Sequence, residues 1–179
     1  MDPRLVALFT RQRERGFSDF AGAHAAVTLP ISDRLLNEAL IAALPSSAPV
    51  TDLELTSRAG NRIAVRFRIG AASFLPPLKL TLVIERQPEL PNSPVLVLRM
   101  EMGGLLSLAG PALRFLDALP PGVRVEHDRI LVDLAMLLAQ RGLGELLEYA
   151  EEVQVTTTDG SVLVNLRARV PGGTTEREA

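Results

Sequence analysis

The sequence predicts an α+β fold dominated by antiparallel strands, on three observations. Between residues 53 and 102 an aliphatic, phenylalanine or methionine side chain recurs at every second place through four successive segments. Stretches of helical period stand before and after those segments, and Pro, Gly, Asn or Ser marks most changes of period. No composition shift divides the chain and no repeat of about 20 to 50 residues is present. The reading is therefore an N-terminal helix over 1–19, one α+β domain over 20–170 and a disordered tail over 171–179.

Asp2 and Pro3 suit an N-cap and a first helical turn, and Leu5, Leu8 and Phe9 keep helical spacing until Gly16. A helix over 3–15 follows. From Ala23 the spacing tightens to two, with Ala25, Val27, Leu29 and Ile31 on one face of a strand ending at Pro30-Ile31. Ser32 can cap the next helix, where Leu35, Leu36, Ala39, Leu40, Ala43 and Leu44 form one wide stripe before Pro45 stops it.

Leu53 and Leu55 share a face with Ile63, Val65, Phe67 and Ile69 if Ala59-Gly60-Asn61 is a three-residue hairpin loop. That register sets Glu54 opposite Arg66 and Asp52 opposite Arg68 on the other face, each pair contributing about 0.2–1 kcal/mol. A one-residue slip would turn the leucines to water. Leu78, Leu80, Leu82 and Ile84 repeat the period, as do Leu96, Leu98, Met100 and Met102 after the turn-rich stretch 87–94. Val83, Val95 and Val97 make the opposite face apolar too, so both faces of this hairpin need a cover.

Pro111, Leu113, Leu116 and Leu119 predict a helix closed by Pro120-Pro121-Gly122. Val123, Val125, Ile130 and Val132 alternate on either side of a His127-Asp128 turn, as a narrow hairpin. Residues 134–150 are helical by pattern, broken or kinked at Gly142-Leu143-Gly144. A last hairpin pairs Val153 and Val155 with Val162, Val164 and Leu166 around Asp159-Gly160.

Composition narrows the function classes. With 21 acidic and 19 basic side chains the net charge is −2, which disfavours nucleic acid as a partner because counterion release needs a basic face. Eighteen of the 19 cations are Arg, a bias that fits a GC-rich genome. The absence of Cys removes disulfides, thiolate chemistry and Cys-ligated metals. The longest uncharged runs, such as Phe20 to Ser32, are 13 residues, short of the ~18 a membrane span needs. Leu5 to Phe9, followed by Arg11, Arg13 and Arg15, does not resemble a secretory signal. A soluble, cytoplasmic protein is expected, or a periplasmic one if a leader was removed.

Motifs for chemistry are missing. His24 and His127 have no partner at a metal-ligand spacing, so neither metal nor cofactor is predicted. No G-x-S-x-G elbow surrounds Ser107, and neither Gly103-Gly104, Gly172-Gly173 nor Gly142 with Gly144 makes a phosphate loop. The carboxylates Glu126, Asp128 and Asp133, and Glu148, Glu151 and Glu152, read as solvated charge rather than acid/base pairs. Arg11, Arg13 and Arg15 beside Leu5, Leu8 and Phe9 could touch a membrane surface transiently, against the simpler reading of cations suiting a helix C-terminus. A non-enzymatic protein is expected. Apolar residues make 47% of the chain and aromatic ones only 4%, so any lining is aliphatic and suits acyl chains. A filled core in a ligand-free scaffold or protein-interaction module is the alternative.

The order of elements carries a resemblance. An alternating strand runs into Ile31-Ser32-Asp33-Arg34-Leu35-Leu36-Asn37, long hairpins follow with a leucine or valine at alternate places, and Arg129-Ile130-Leu131-Val132-Asp133-Leu134 passes into a Leu-rich helix and a last hairpin. Over about residues 20 to 170 this resembles the tubular lipid-binding (TULIP) superfamily, which includes the bactericidal permeability-increasing protein, the SMP domains and small bacterial lipid-binding proteins. The resemblance implies a highly curved antiparallel meander wrapped around a long helix, and non-enzymatic binding or transfer of a lipid or other hydrophobic ligand in an aliphatic channel. By parity, Leu53, Leu55, Val65, Phe67, Leu80, Leu82, Leu96 and Leu98 would face inward, toward Leu36 and Leu40 or the ligand beside them.

Overall fold

The computed structural model describes residues 3–44, 48, 50–70, 76–101 and 121–171. The helix expected over 111–119, Met102, Ser107, the Gly103-Gly104 and Gly172-Gly173 pairs and the tail beyond 171 lie outside them. Helix α1 spans Pro3–Glu14, followed by a short 3-10 turn at Ser18–Phe20. Strand β1 (His24–Ser32) leads into α2 (Asp33–Ala43), whose N-cap is Ser32, with Oγ accepting from the Leu35 amide at 3.3 Å. Strands β2 (Val50–Arg58), β3 (Arg62–Ile69), β4 (Leu78–Arg86), β5 (Val95–Glu101), β6 (Val123–Glu126) and β7 (Arg129–Asp133) come next. Helix α3 (Leu134–Gln140), a 3-10 turn (Gly144–Glu148), β8 (Ala150–Thr158) and β9 (Ser161–Arg169) complete the order.

Two antiparallel sheets result, one of six strands in the order β2-β3-β4-β5-β7-β6 and one of three in the order β1-β9-β8. The alternation read from the sequence sets their registers. Leu55 stands opposite Val65 and Val65 opposite Leu80, while Ile84, Leu98, Ile130 and Val125 form a second row across the sheet. The pairing of β1 with β9, from His24 opposite Arg169 to Ser32 opposite Ser161, joins segments more than a hundred residues apart.

One expectation needs correction and another is sharpened. Glu54 does stand opposite Arg66, but a bulge between Thr51 and Glu54 places Thr51 opposite Arg68. Asp52 takes a positive φ of 52° in that bulge and still reaches Arg68 in an ion pair of 3.2 Å. The helical pattern over 134–150 ends at Gln140, because Gly142 at φ 66° closes a left-handed C-terminal turn. There the Gly142 amide donates to Ala139 O and the Leu143 amide to Leu138 O, satisfying the last carbonyls and directing the chain into β8.

Hydrogen bonds join the two sheets where their hairpin ends meet. Thr157 Oγ1 accepts from the Arg62 amide at 2.9 Å and donates to Arg58 O, while the Thr157 amide donates to Asn61 Oδ1. The Gly160 amide donates to Ser57 O at 3.1 Å, and Gly160 O accepts from the Asp33 amide at 3.0 Å. These bonds tie the tips of the β2–β3 and β8–β9 hairpins to the start of α2.

Candidate functional site

The inner faces of both sheets converge on one apolar cluster. Val65, Phe67, Leu82, Leu96 and Leu98 are buried members of it, and Leu36, Leu53, Leu55 and Leu80 pack half-buried against it. Leu40 is half-buried on α2 outside that cluster. The eight residues picked by parity thus all belong to or pack on one cluster, with Leu36 of α2 but not Leu40. The small sheet adds Val153, Val155 and Val162, which parity placed on one face but which the sequence did not connect to the large sheet. That link depends on the contacts of β2 with β8 and β9, for which alternation carries no signal.

Burial across this face is graded rather than complete. The largest fully buried side chain among the described residues is Ser57, and the best-buried aliphatic one is Val97, at 4% on the opposite face of β5. Along the row Val155, Val164, Leu29 exposure rises from buried to half-buried to 49%, and Val27 in the neighbouring row stands at 43%. Leu35 and Ile41 on α2 are exposed as well. A face of this kind presents methyl and methylene groups and no charge, so it can hold an aliphatic chain but perform no proton transfer.

Some of the polar positions singled out by the sequence have structural partners. Asp133 is the N-cap of α3, its Oδ1 accepting from the Met136 amide at 3.0 Å, and Glu126 pairs with Arg124 at 3.2 Å. His24 opens β1 and His127 forms the β6–β7 turn at φ 58°, both exposed. Among the described residues no group of His, Asp and Glu could hold a metal ion. Arg13 on α1 donates to Glu145 Oε2 and to Gly142 O, each at 3.0 Å, and so ties that helix to the segment after α3. Phe17 meets the Tyr149 ring edge-on beside it.

The outer face of the large sheet is charged. Small side chains Thr56, Ala64 and Thr81 form the floor of an open groove of about 490 Å³, walled by Glu54, Arg66 and Lys79 on one side and Arg58 on the other. Most of its charges are paired: Arg66 with Glu54 at 3.7 Å, and Arg62 and Arg99 both with Glu101. Further along, Arg129 donates from Nε and Nη2 to the two oxygens of Glu85 at 2.8 and 2.7 Å. That fork holds the Glu85 carboxyl below its ordinary range and the guanidinium above its own. No signal in the sequence connected these two residues.

Among the described residues no helix is long and apolar enough to cross a membrane. Compared with known proteins, the chain matches no family model, no curated protein and no solved structure.

Proposed function

We propose that this protein binds a lipid or another long aliphatic ligand without chemical turnover, on the apolar face shared by its two sheets. The supporting observation is the graded burial of that face. A chain with 31 leucines has ample material to close a core, yet beside the buried Val65 and Phe67 the inward Leu53, Leu55 and Leu80 stay half-buried, and Leu29 is exposed. Apolar area left accessible along this face is what a guest would cover. Each methylene transferred from water gains about 0.8 kcal/mol, so about ten of them hold a lipid firmly without a charged contact. The reading carries a finer arrangement with it, an antiparallel sheet curved around helix and ligand as in the tubular lipid-binding superfamily. It also gives α1, through Arg11 and Arg15, a transient contact with a membrane surface while Arg13 stays on Glu145.

The test is mass spectrometry of an organic extract of the purified protein, with displacement of a fluorescent fatty acid. Co-purifying lipid and saturable displacement support the reading. Neither, in a folded sample, removes it in favour of a ligand-free interaction module.

A further inference from the structure

Among the described residues four strand edges bound the two sheets, and three of them are bonded by side chains or kept short and charged. The β2 edge is bonded by Asp33 and Asn37, and the β8 edge by Gln87 and Asn61. The β6 edge is four residues long and carries Arg124 and Glu126. Such devices keep a row of free peptide groups from recruiting another strand. The fourth edge, β1, is nine residues long, exposed at every position but Ile31, and lies within the uncharged run from Phe20 to Ser32.

Parity shows which peptide groups of β1 are free. Val155 and Thr157 bond Gln87 and Asn61, so the even residues of β8 face β9, and residues 162, 164, 166 and 168 of β9 face β1. Those stand opposite Ile31, Leu29, Val27 and Ala25. The peptide groups of His24, Ala26, Thr28 and Pro30 therefore point outward, and Pro30, having no N–H, puts its gap on the free side. Three N–H groups remain there, followed by a stop.

We propose that two copies of this chain pair antiparallel through β1 about a twofold axis at Ala26, joining their small sheets into one continuous sheet. In that register the amides of His24, Ala26 and Thr28 meet the carbonyls of Thr28, Ala26 and His24 in the second copy. It is the one twofold register in which these residues satisfy each other as a closed set. Pro30 falls just outside, opposite Gly22, whose amide already bonds Val170 O. On the apolar side Val27 comes beside Ala25 and Leu29 beside Ala23, so the exposed face of each β1 gains a cover. A second copy suits this edge better than another protein would. It supplies the matching set of donors and acceptors, and with no charged side chain on β1 like approaches like without repulsion.

Sedimentation velocity on the full chain, from about 1 to 100 µM, tests this directly, a range that spans a micromolar Kd. The unmodified protein should be dimeric at the upper end. Ala26→Pro removes the central outward N–H and no bond to β9, and should leave a folded monomer by circular dichroism, with association weakened about a hundredfold or more. Should Ala26→Pro not fold, Ala26→Lys decides, since it charges the axis and leaves the backbone intact. Amide exchange adds a second readout: protection of His24, Ala26 and Thr28 should rise with concentration while Val27 and Leu29 stay unchanged. A monomer throughout the range, or a dimer that survives both folded variants, overturns the proposal. So does association only with an unrelated protein.

Discussion

The carboxamide of Gln87 makes both of the hydrogen bonds that a neighbouring strand would make to Val155. Its Nε2 donates to Val155 O and its Oε1 accepts from the Val155 amide, each at 2.8 Å. One side chain just past β4 thus closes the edge of a strand in the other sheet. Gln87→Ala leaves a part-buried donor and acceptor unpaired and should lower stability by about 2–4 kcal/mol, measured by denaturant unfolding. Gln87→Glu keeps the acceptor but sets a carboxylate against Val155 O at neutral pH. Its deficit should shrink on acidification, when the protonated carboxyl can donate again.

Asn37 does the same for the other sheet, donating from Nδ2 to Leu55 O at 2.9 Å and to Asp33 O at 2.7 Å, and accepting from the Leu55 amide at 2.7 Å. One turn earlier on α2, both oxygens of Asp33 accept from the Ser57 amide at 3.0 Å. The i, i+4 spacing lets one helix face match two alternate residues of β2. Asn37→Asp loses both donated bonds and adds a like charge near Asp33. It should cost about 2–4 kcal/mol by thermal or denaturant unfolding, and more than Asn37→Ser.

The alternation of apolar residues was enough to place every described strand and the side on which its apolar residues fall. Leu53, Val65, Leu80 and Leu98 fall on one side of the sheet because a period of two leaves no other choice once a hairpin loop is chosen. The joining of the sheets was not legible, because Gln87, Asn61, Asn37 and Asp33 look like ordinary loop and helix-surface residues. Their roles depend on which strand edge they meet, and that is set by contacts distant along the chain. For the same reason β1 could be recognised as a strand but not as an edge. The end of α3 was visible at Gly142, and of the two readings a glycine in a helical pattern allows, a break or a kink, the structure takes the break, with a 3-10 turn beyond it.

Glu85 and Arg129 offer a pH-dependent check on the outer face. The fork from Arg129 lowers the Glu85 pKa, so its contribution to stability is present above the ordinary carboxylate value and is lost as pH falls through the lowered one. In an NMR titration Glu85 should ionise below 4.5, the value for an unperturbed glutamate. Arg129→Leu should return its midpoint toward that value or above it. An unchanged midpoint would show that the pair is not formed in solution.

Gly122 holds a φ of 93° at the start of β6, and a Cβ placed there would lie 3.3 Å from Leu137 Cγ and from Met136 Cβ. Its carbonyl also accepts from the Asp133 amide at 2.7 Å, fixing the turn against the start of α3. Gly122→Ala combines an unfavourable backbone region with a crowded neighbour and should cost about 1–3 kcal/mol in unfolding free energy. Ala at Gly60, where φ is 82° but nothing lies within 4 Å, should cost less, so the difference between the two isolates the crowding.

Leu80 and Leu82 separate a ligand lining from a closed core, because they lie two residues apart on the same face of β4. Leu82 is buried in the cluster, where Leu82→Ala should leave a cavity and cost about 2–5 kcal/mol whatever the ligand state. Leu80 is half-buried against the same cluster, so in lipid-free protein Leu80→Ala should cost only about 1 kcal/mol. If an aliphatic guest covers Leu80, the loss from the same truncation should grow in lipid-loaded protein, and affinity for a fluorescent fatty acid should fall about three- to tenfold. Equal losses for Leu80→Ala with and without lipid would mean that Leu80 belongs to the packing of the protein alone, and the lining would have to be sought elsewhere on the shared face.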